Sequence, residues 1–194
     1  MRCFFVLIQT KRLIIEHFKD SDISDWAKIE SDADVRRFVD GKVLSFEEAK
    51  KYVEMNIRHY QKNGYGRYVV RLKEKGNLVG SCGFLKENYG IDFGYRYSKI
   101  IWGKGLGFEA AKTVLNYGFS ELGLDRVVGL TAEKNFGSIR ILEKLGFKFQ
   151  EKVLFNKTKA FKYYYTGDSW QFVEKLKIVT LLYRTTIRKD WVIS

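Results

Sequence analysis

Proline is missing from this 194-residue chain, and cysteine and histidine nearly so, with two of each. Cys3 and Cys82 lie far apart with no repeating spacing, which excludes a disulfide framework and makes a reducing cytoplasm the expected setting. With His17 and His59 the only histidines, no Cys/His zinc cluster can be assembled, and no metal is expected. No motif frames a Ser-His-Asp or Cys-His pair, so covalent catalysis is not expected either. For the missing proline the sequence offers no structural reason.

Long apolar runs are missing too. The stretch over residues 3–8 is six residues long and is followed by no small-residue cleavage site, so it does not read as a signal peptide. Nothing approaches the ~20 apolar residues of a membrane-spanning helix. Basic residues outnumber acidic ones by 35 to 23, a net charge of +12. They are scattered and form no arginine-rich block, so sequence-specific nucleic-acid binding is not the expected function. An anionic cofactor or an acidic acceptor fits such a charge better.

Hydrophobic residues make up 45% of the chain and charged residues 30%, ordinary for a globular domain. With 15 Phe, 12 Tyr and 4 Trp the core should be rich in rings. The patterning predicts a strand over 10–18, a short helix capped by Ser21 or Asp22 and ending at Glu30, and a helix from the capping box Ser45…Glu48 to about Asn63. Strands follow over 68–72, 78–85 and 91–97, then a helix from Gly107 to Gly123, a strand over 126–131, a helix over 136–145 and strands over 148–155 and 160–166. That order is a mixed α/β sheet of about seven strands with four helices on its two faces. Residues 9–170 form one domain. Residues 171–194 read as an extension: an extra edge strand, a dimer contact or a tail.

The most informative segment is 91–147. Between Trp102 and Gly107 a turn with three glycines opens a helix, so several backbone N–H groups can point into one concavity and hold a phosphate or pyrophosphate. Gly105, Gly107 and Ala110 also match the dinucleotide fingerprint G-x-G-x-x-A. However, these glycines lie well beyond the strand ending at Tyr97, and a dinucleotide fold gives no role to Asn135, Ser138 or Gly146-Phe147.

Four motifs in order, TKRLIIEHFKDSD, IDFGY, WGKGLGFEA and NFGSIRILEKLGF, resemble the GNAT superfamily of acetyl-CoA-dependent N-acetyltransferases. The resemblance is to its Rim-type branch, which acetylates ribosomal-protein alanine N-termini. It covers roughly residues 9–170 and implies a sheet splayed between the fourth and fifth strands. It also implies acetyl-CoA as co-substrate, with Trp102, Gly103, Lys104, Gly105, Leu106, Gly107 and Phe108 around the pyrophosphate. The family usually has Gln or Arg where Trp102 stands, but the Rim-type branch commonly has Trp. The strand Tyr95–Tyr97 should bulge and free backbone groups for the pantetheine arm, and Asn135, also an N-cap candidate, should bond the same arm.

Acetyl transfer needs a neutral amine, an oriented carbonyl, donors for the developing oxyanion and a proton for the leaving thiolate. Many relatives place a tyrosine as general acid where this chain has Leu142; in the Rim-type branch the resemblance implies Ser138 as the proton donor to the thiolate, directly or through water. Asp92 stands where relatives carry Glu or Asp and is the implied base: a half-buried strand carboxylate can bind a proton more readily than usual and act through water. Cys82 reads as core. The acceptor is expected to be a protein or peptide N-terminus. A small amine and a non-catalytic acetyl-CoA-binding module are the alternatives, with acceptor choice lying in loops 35–44 and 156–159. A homodimer is slightly favoured over a monomer.

Overall fold

The computed structural model describes residues 7–155 and 158–167. The expectations for residues 1–6, for Asn156 and for the extension over 171–194 lie outside them.

One mixed sheet runs in the order β1-β2-β3-β4-β5-β6-β8-β7. Its strands are β1 (Leu7–Gln9), β2 (Leu13–Glu16), β3 (Arg67–Leu72), β4 (Leu78–Glu87), β5 (Gly90–Tyr97), β6 (Arg126–Ala132), β7 (Lys148–Phe155) and β8 (Thr158–Thr166). The helices are α1 (Ile23–Glu30), α2 (Ala33–Arg36), α3 (Phe46–Asn63), α4 (Leu106–Ser120) and α5 (Phe136–Lys144). The first expected strand, over 10–18, is the shorter β2, and a further strand, β1, precedes it to make a hairpin. Thr10 Oγ accepts from the Leu13 N–H at 2.8 Å and the Thr10 N–H donates to the Leu13 carbonyl at 2.9 Å, so the chain turns and the sheet gains an eighth strand. The extra helix, α2, is a single turn capped by Asp32, whose carboxylate accepts from the Asp34 N–H at 2.9 Å.

Strand alternation sends two apolar sets to opposite faces of the sheet. Leu13, Ile15, Tyr68, Val70, Cys82, Phe84, Phe93 and Tyr97 pack with Ala110, Ala111 and Val114 of α4. Val69 and Leu78 pack on the other face with Trp26 and Ile29 of α1 and Ala49 and Val53 of α3. The capping box opens α3 as expected: Ser45 Oγ accepts from the Glu48 N–H at 3.3 Å, and the Glu48 carboxylate accepts from the Ser45 N–H at 2.8 Å. Lys42 and Ser45 bonds to that carboxylate hold Glu48 down at about 2.

The feature that positions the site is the junction of β5 and β6, the parallel pair in this sheet. They share one rung, Asp92↔Val128. Past it the two strands separate, each leading to a helix N-terminus: β5 to α4 and β6 to α5. The bulge expected at Tyr95–Tyr97 is not found. The β4–β5 ladder keeps register from Gly80↔Tyr97 to Glu87↔Gly90, and register shifts lie instead in the β3–β4 pair at Val70/Arg71 and in the β7–β8 pair at Phe149/Glu151. With only one rung to leave behind, neither strand has to kink for the gap to open.

Candidate active site

The glycine turn enters α4 through two left-handed residues, Gly103 (φ +72°) and Gly105 (φ +73°), conformations that favour glycine. A Cβ on Gly103 would meet nothing within 4 Å, so the loop is open to its surroundings there. Gly105 is the N-cap of α4, and with no side chain it leaves the first-turn amides of Leu106, Gly107 and Phe108 without a side-chain acceptor. Free amides at a helix N-terminus, backed by its dipole, form an anion cradle. Leu106 lends only its backbone, because its side chain is buried in the core. Gly107 is needed for close approach, since a Cβ would stand 3.0 Å from the Tyr97 ring. The Trp102 indole N–H donates to the Tyr97 carbonyl at 2.9 Å, tying the turn to the end of β5 while the ring stays half-exposed. Lys104 is exposed, and its carbonyl accepts from Arg12 at 3.2 Å.

Inside the splay, Tyr95 and Tyr97 stack with centroids 5.6 Å apart. The Tyr95 hydroxyl donates to the Ser138 carbonyl at 3.0 Å and lies 3.1 Å from Ser138 Oγ, bridging β5 to the first turn of α5. Burial pushes the Tyr95 phenol up, and the bond to Ser138 opposes this. Asn135 caps α5, its side-chain oxygen accepting from the Ser138 N–H at 3.2 Å. Its NH2 group remains for another partner. Leu142 is buried and packs on Gly129, where a Cβ would lie 2.9 Å from it.

Asp92 is on the opposite face of the sheet from Tyr95, as the strand alternation requires. It is buried, and its carboxylate is ion-paired to Arg67. Sequence reasoning missed this arginine, which lies two strands away. Arg67 Nη1 also donates to the carbonyls of Gly83, Asp92 and Gly94, the last two at 3.1 Å. Four residues along β5 from Asp92, on the same face, Arg96 holds the buried Glu30 with both contacts at 2.6 Å, and Arg36 donates to Glu30 from the other side at 2.8 Å. Burial and the nearby Asp92 carboxylate push the Tyr89 phenol up. Tyr89 lines a hollow of about 270 Å³ together with Gly90, Ile91, Asp125, Arg126, Val128, Gln150 and Lys162. Cys82 is fully buried and its thiol is pushed up to about 12, so it is an inert core residue.

A sheet splayed at one rung, with an uncapped helix N-terminus on one side and a polar face on the other, is the fold's distinguishing geometry. The family model of the acetyltransferase (GNAT) domain matches residues 12–148. The chain belongs to the GNAT acetyltransferases. An uncharacterised N-acetyltransferase of Bacillus subtilis (strain 168), YnaD, is 29% identical over 143 residues, 73% of this chain and 82% of that protein. Among solved structures, RimL, a ribosomal L7/L12 alpha-N-protein acetyltransferase in complex with coenzyme A, superposes with a TM-score of 0.71 at 17% identity. That match covers 82% of this chain and 97% of RimL. Spermidine N-acetyltransferase from Vibrio cholerae, in complex with CoA and spermine, superposes with a TM-score of 0.70 at 19% identity, covering 83% of this chain and 99% of that one.

This GNAT protein is therefore an acetyl-CoA-dependent N-acetyltransferase. The first-turn amides of Leu106, Gly107 and Phe108 suit a pyrophosphate. Among the described residues no group of three or more His, Cys, Asp or Glu could hold a metal ion, and no helix is long and apolar enough to cross a membrane.

Proposed function

We propose that this GNAT enzyme acetylates a protein or peptide N-terminus, with the acceptor on the Asp92 face of the sheet and the cofactor entering from the α4–α5 side. The observation that supports this is the single rung Asp92↔Val128, past which β5 and β6 part, with Asp92 on one face of the sheet and Tyr95 on the other. Acetyl-CoA, when bound, supplies an acyl group activated as a thioester. The amides of Gly105 to Phe108 would hold its pyrophosphate, and Trp102, Tyr95, Tyr97 and Asn135 would line the path of its arm. Asp92 would take the proton from the incoming ammonium, and Ser138, held by Tyr95, would hold a proton on Oγ for the leaving sulfur. Acid and base then stand on opposite faces, as a passage through the sheet requires.

The N-terminal acceptor is supported by charge. The chain is strongly basic, and the hollow by Gly90 and Val128 is lined by Arg126 and Lys162 against one carboxylate, Asp125, a balance that favours a peptide carrying acidic groups over a polyamine. The second reading, a small amine, draws on the spermidine acetyltransferase neighbour, whose superposition is as good as that of RimL. A homodimer goes with this reading: β7, at one edge of the sheet, exposes Phe149, Leu154 and Phe155, an apolar edge that calls for cover. Incubation with labelled acetyl-CoA and a panel of N-terminal peptides, polyamines and aminoglycosides tests the proposal. Label in peptides starting with a free α-amine and followed by acidic residues supports it. Label only in small amines, or in none, overturns it.

A further inference from the structure

The Thr10-Lys11-Arg12-Leu13 stretch, part of the first of the four sequence motifs, has no role in the chemistry above. It lands on the glycine loop. Arg12 Nε donates to Glu109 Oε2 at 2.7 Å, and Nη2 pairs with the same oxygen at 2.6 Å. Arg12 Nη1 donates to the Lys104 carbonyl at 3.2 Å. From the same turn Thr10 Oγ donates to Glu109 Oε1 at 2.5 Å, and the Arg12 N–H reaches that oxygen at 3.3 Å. A carboxylate in the first turn of α4 and a carbonyl of the glycine loop are thus held by one hairpin turn nearly a hundred residues earlier in the chain.

An ordinary surface ion pair leaves both side chains free to move and contributes little. Here the half-exposed guanidinium sets two nitrogens on one carboxylate oxygen and adds a third bond to main chain, so its direction is fixed by three contacts on two different groups. The Lys104–Gly105 peptide is trans, so a held carbonyl sets the opposite heading for the Gly105 N–H. That amide adjoins those of Leu106, Gly107 and Phe108. Glu109 itself is a liability beside an anion site, because its charge opposes a phosphate at the N-terminus of α4. Arg12 compensates it.

We propose that Arg12 is a positioning residue for the cofactor: it orients the glycine loop through the Lys104 carbonyl and neutralises Glu109, so that the turn can receive a pyrophosphate. The proposal rests on the reading of that loop as the pyrophosphate site. Its signature is a split between binding and turnover. Arg12→Met should weaken CoA binding by about 10-fold or more, while kcat at saturating acetyl-CoA and the acceptor KM stay near wild type. Arg12→Lys keeps the charge but cannot grip Glu109 and the Lys104 carbonyl together, so it should share most of the loss. Adding Glu109→Gln to Arg12→Met should recover part of the affinity by removing the uncompensated charge.

The experiment is calorimetric titration of CoA into the unliganded wild-type, Arg12→Met, Arg12→Lys, Arg12→Met/Glu109→Gln and Gly105→Val proteins, with the thermal midpoint of each measured alongside. Weakened CoA binding in both Arg12 variants, at midpoints near that of the wild type, supports the proposal. CoA affinity within about twofold of wild type in Arg12→Lys overturns the orienting role. A fall in midpoint and kcat together, with affinity unchanged, makes the clamp merely structural and also overturns it. Gly105→Val separates the two readings. If it abolishes CoA binding while the Arg12 variants do not, only the clamp fails; if it binds CoA normally, the loop reading fails with it.

Discussion

Arg67 reaches Asp92 across a row of two glycines. In the ladders Arg67 faces Gly83, and Gly83 faces Gly94, so the guanidinium lies over backbone where any side chain would stand in its way. A Cβ on Gly94 would sit 2.6 Å from an Arg67 nitrogen.

That pairing gives Asp92 a structural role beside the proposed chemical one. Asp92→Asn should lower kcat by about 10²-fold near neutral pH, with the deficit shrinking at high pH where more of the amine is already neutral. It should also cost about 3 kcal/mol in urea unfolding, because Arg67 keeps its buried charge without a counter-charge. Gly94→Ala should displace the guanidinium and impair turnover without altering any titratable group. An Asp92→Asn protein with full activity across the pH range would remove Asp92 from the chemistry.

Tyr95 and Ser138 are predicted to act as a pair. Ser138→Ala should lower kcat by about 10-fold or more with little change in the KM for acetyl-CoA. Tyr95→Phe should have a smaller effect of the same kind, since it frees the serine it was holding. Pre-steady-state kinetics with both single variants and the double variant checks this. Additive losses would mean that the two hydroxyls are not coupled.

Restoring the tyrosine that many relatives carry should fail here. Leu142→Tyr would press a larger ring onto Gly129 in a fully packed position and should cost about 1–3 kcal/mol, lowering both thermal midpoint and turnover. A stable Leu142→Tyr enzyme with raised kcat would show that the site has room for that acid.

His17 gives the fold a pH dependence. Its ring stacks on Tyr60 at 3.9 Å between centroids and on Tyr68 at 5.6 Å, and burial lowers it to about 4 against the opposing charge of Glu16. The unfolded chain therefore binds a proton below about 6.5 that the folded chain refuses until about 4. Stability should fall as pH drops through that window, by at most about 3 kcal/mol, and His17→Phe should flatten the slope. Urea titrations of both proteins between pH 7 and pH 4 make the comparison.

Deleting residues 171–194 should change the oligomeric state or lower solubility while leaving CoA binding intact. Light scattering and calorimetry on the shortened chain provide the check. An unchanged mass together with an unchanged thermal midpoint would leave the dimer reading without support.

The fold was largely legible in the sequence where local chemistry carries the signal. Ser45 with Glu48, Asn135 ahead of Ser138, and Gly103 to Gly107 each announce a helix start through groups only a few residues apart. The splay followed from the family resemblance, and the structure has it. What could not be read was anything that depends on strand order. Arg67 meets Asp92, and Arg12 meets Glu109, only because the sheet brings distant segments together. Hydrophobic periodicity carries no trace of such pairings. The hairpin at Thr10 was hidden for a different reason: the strand was expected to begin at Thr10, with β1 left before it, and the turn between β1 and β2 is marked by a threonine hydroxyl rather than by glycine or proline.

The single rung at Asp92–Val128 also sets how this molecule can change over generations. To either side of it lies a plate with its own antiparallel ladder, β1 to β5 and β6 to β8, and the plates are riveted mainly by rings and hydroxyls: Phe93 on Phe147, Tyr95 on Ser138, Phe119 on Tyr165. On the proposed reading of this gap as a passage, its width is set by the size of those side chains. Exchanging one ring for another along that seam widens or narrows the slot while both ladders stay in register, a route to new acceptors that leaves the foldable parts of the chain untouched.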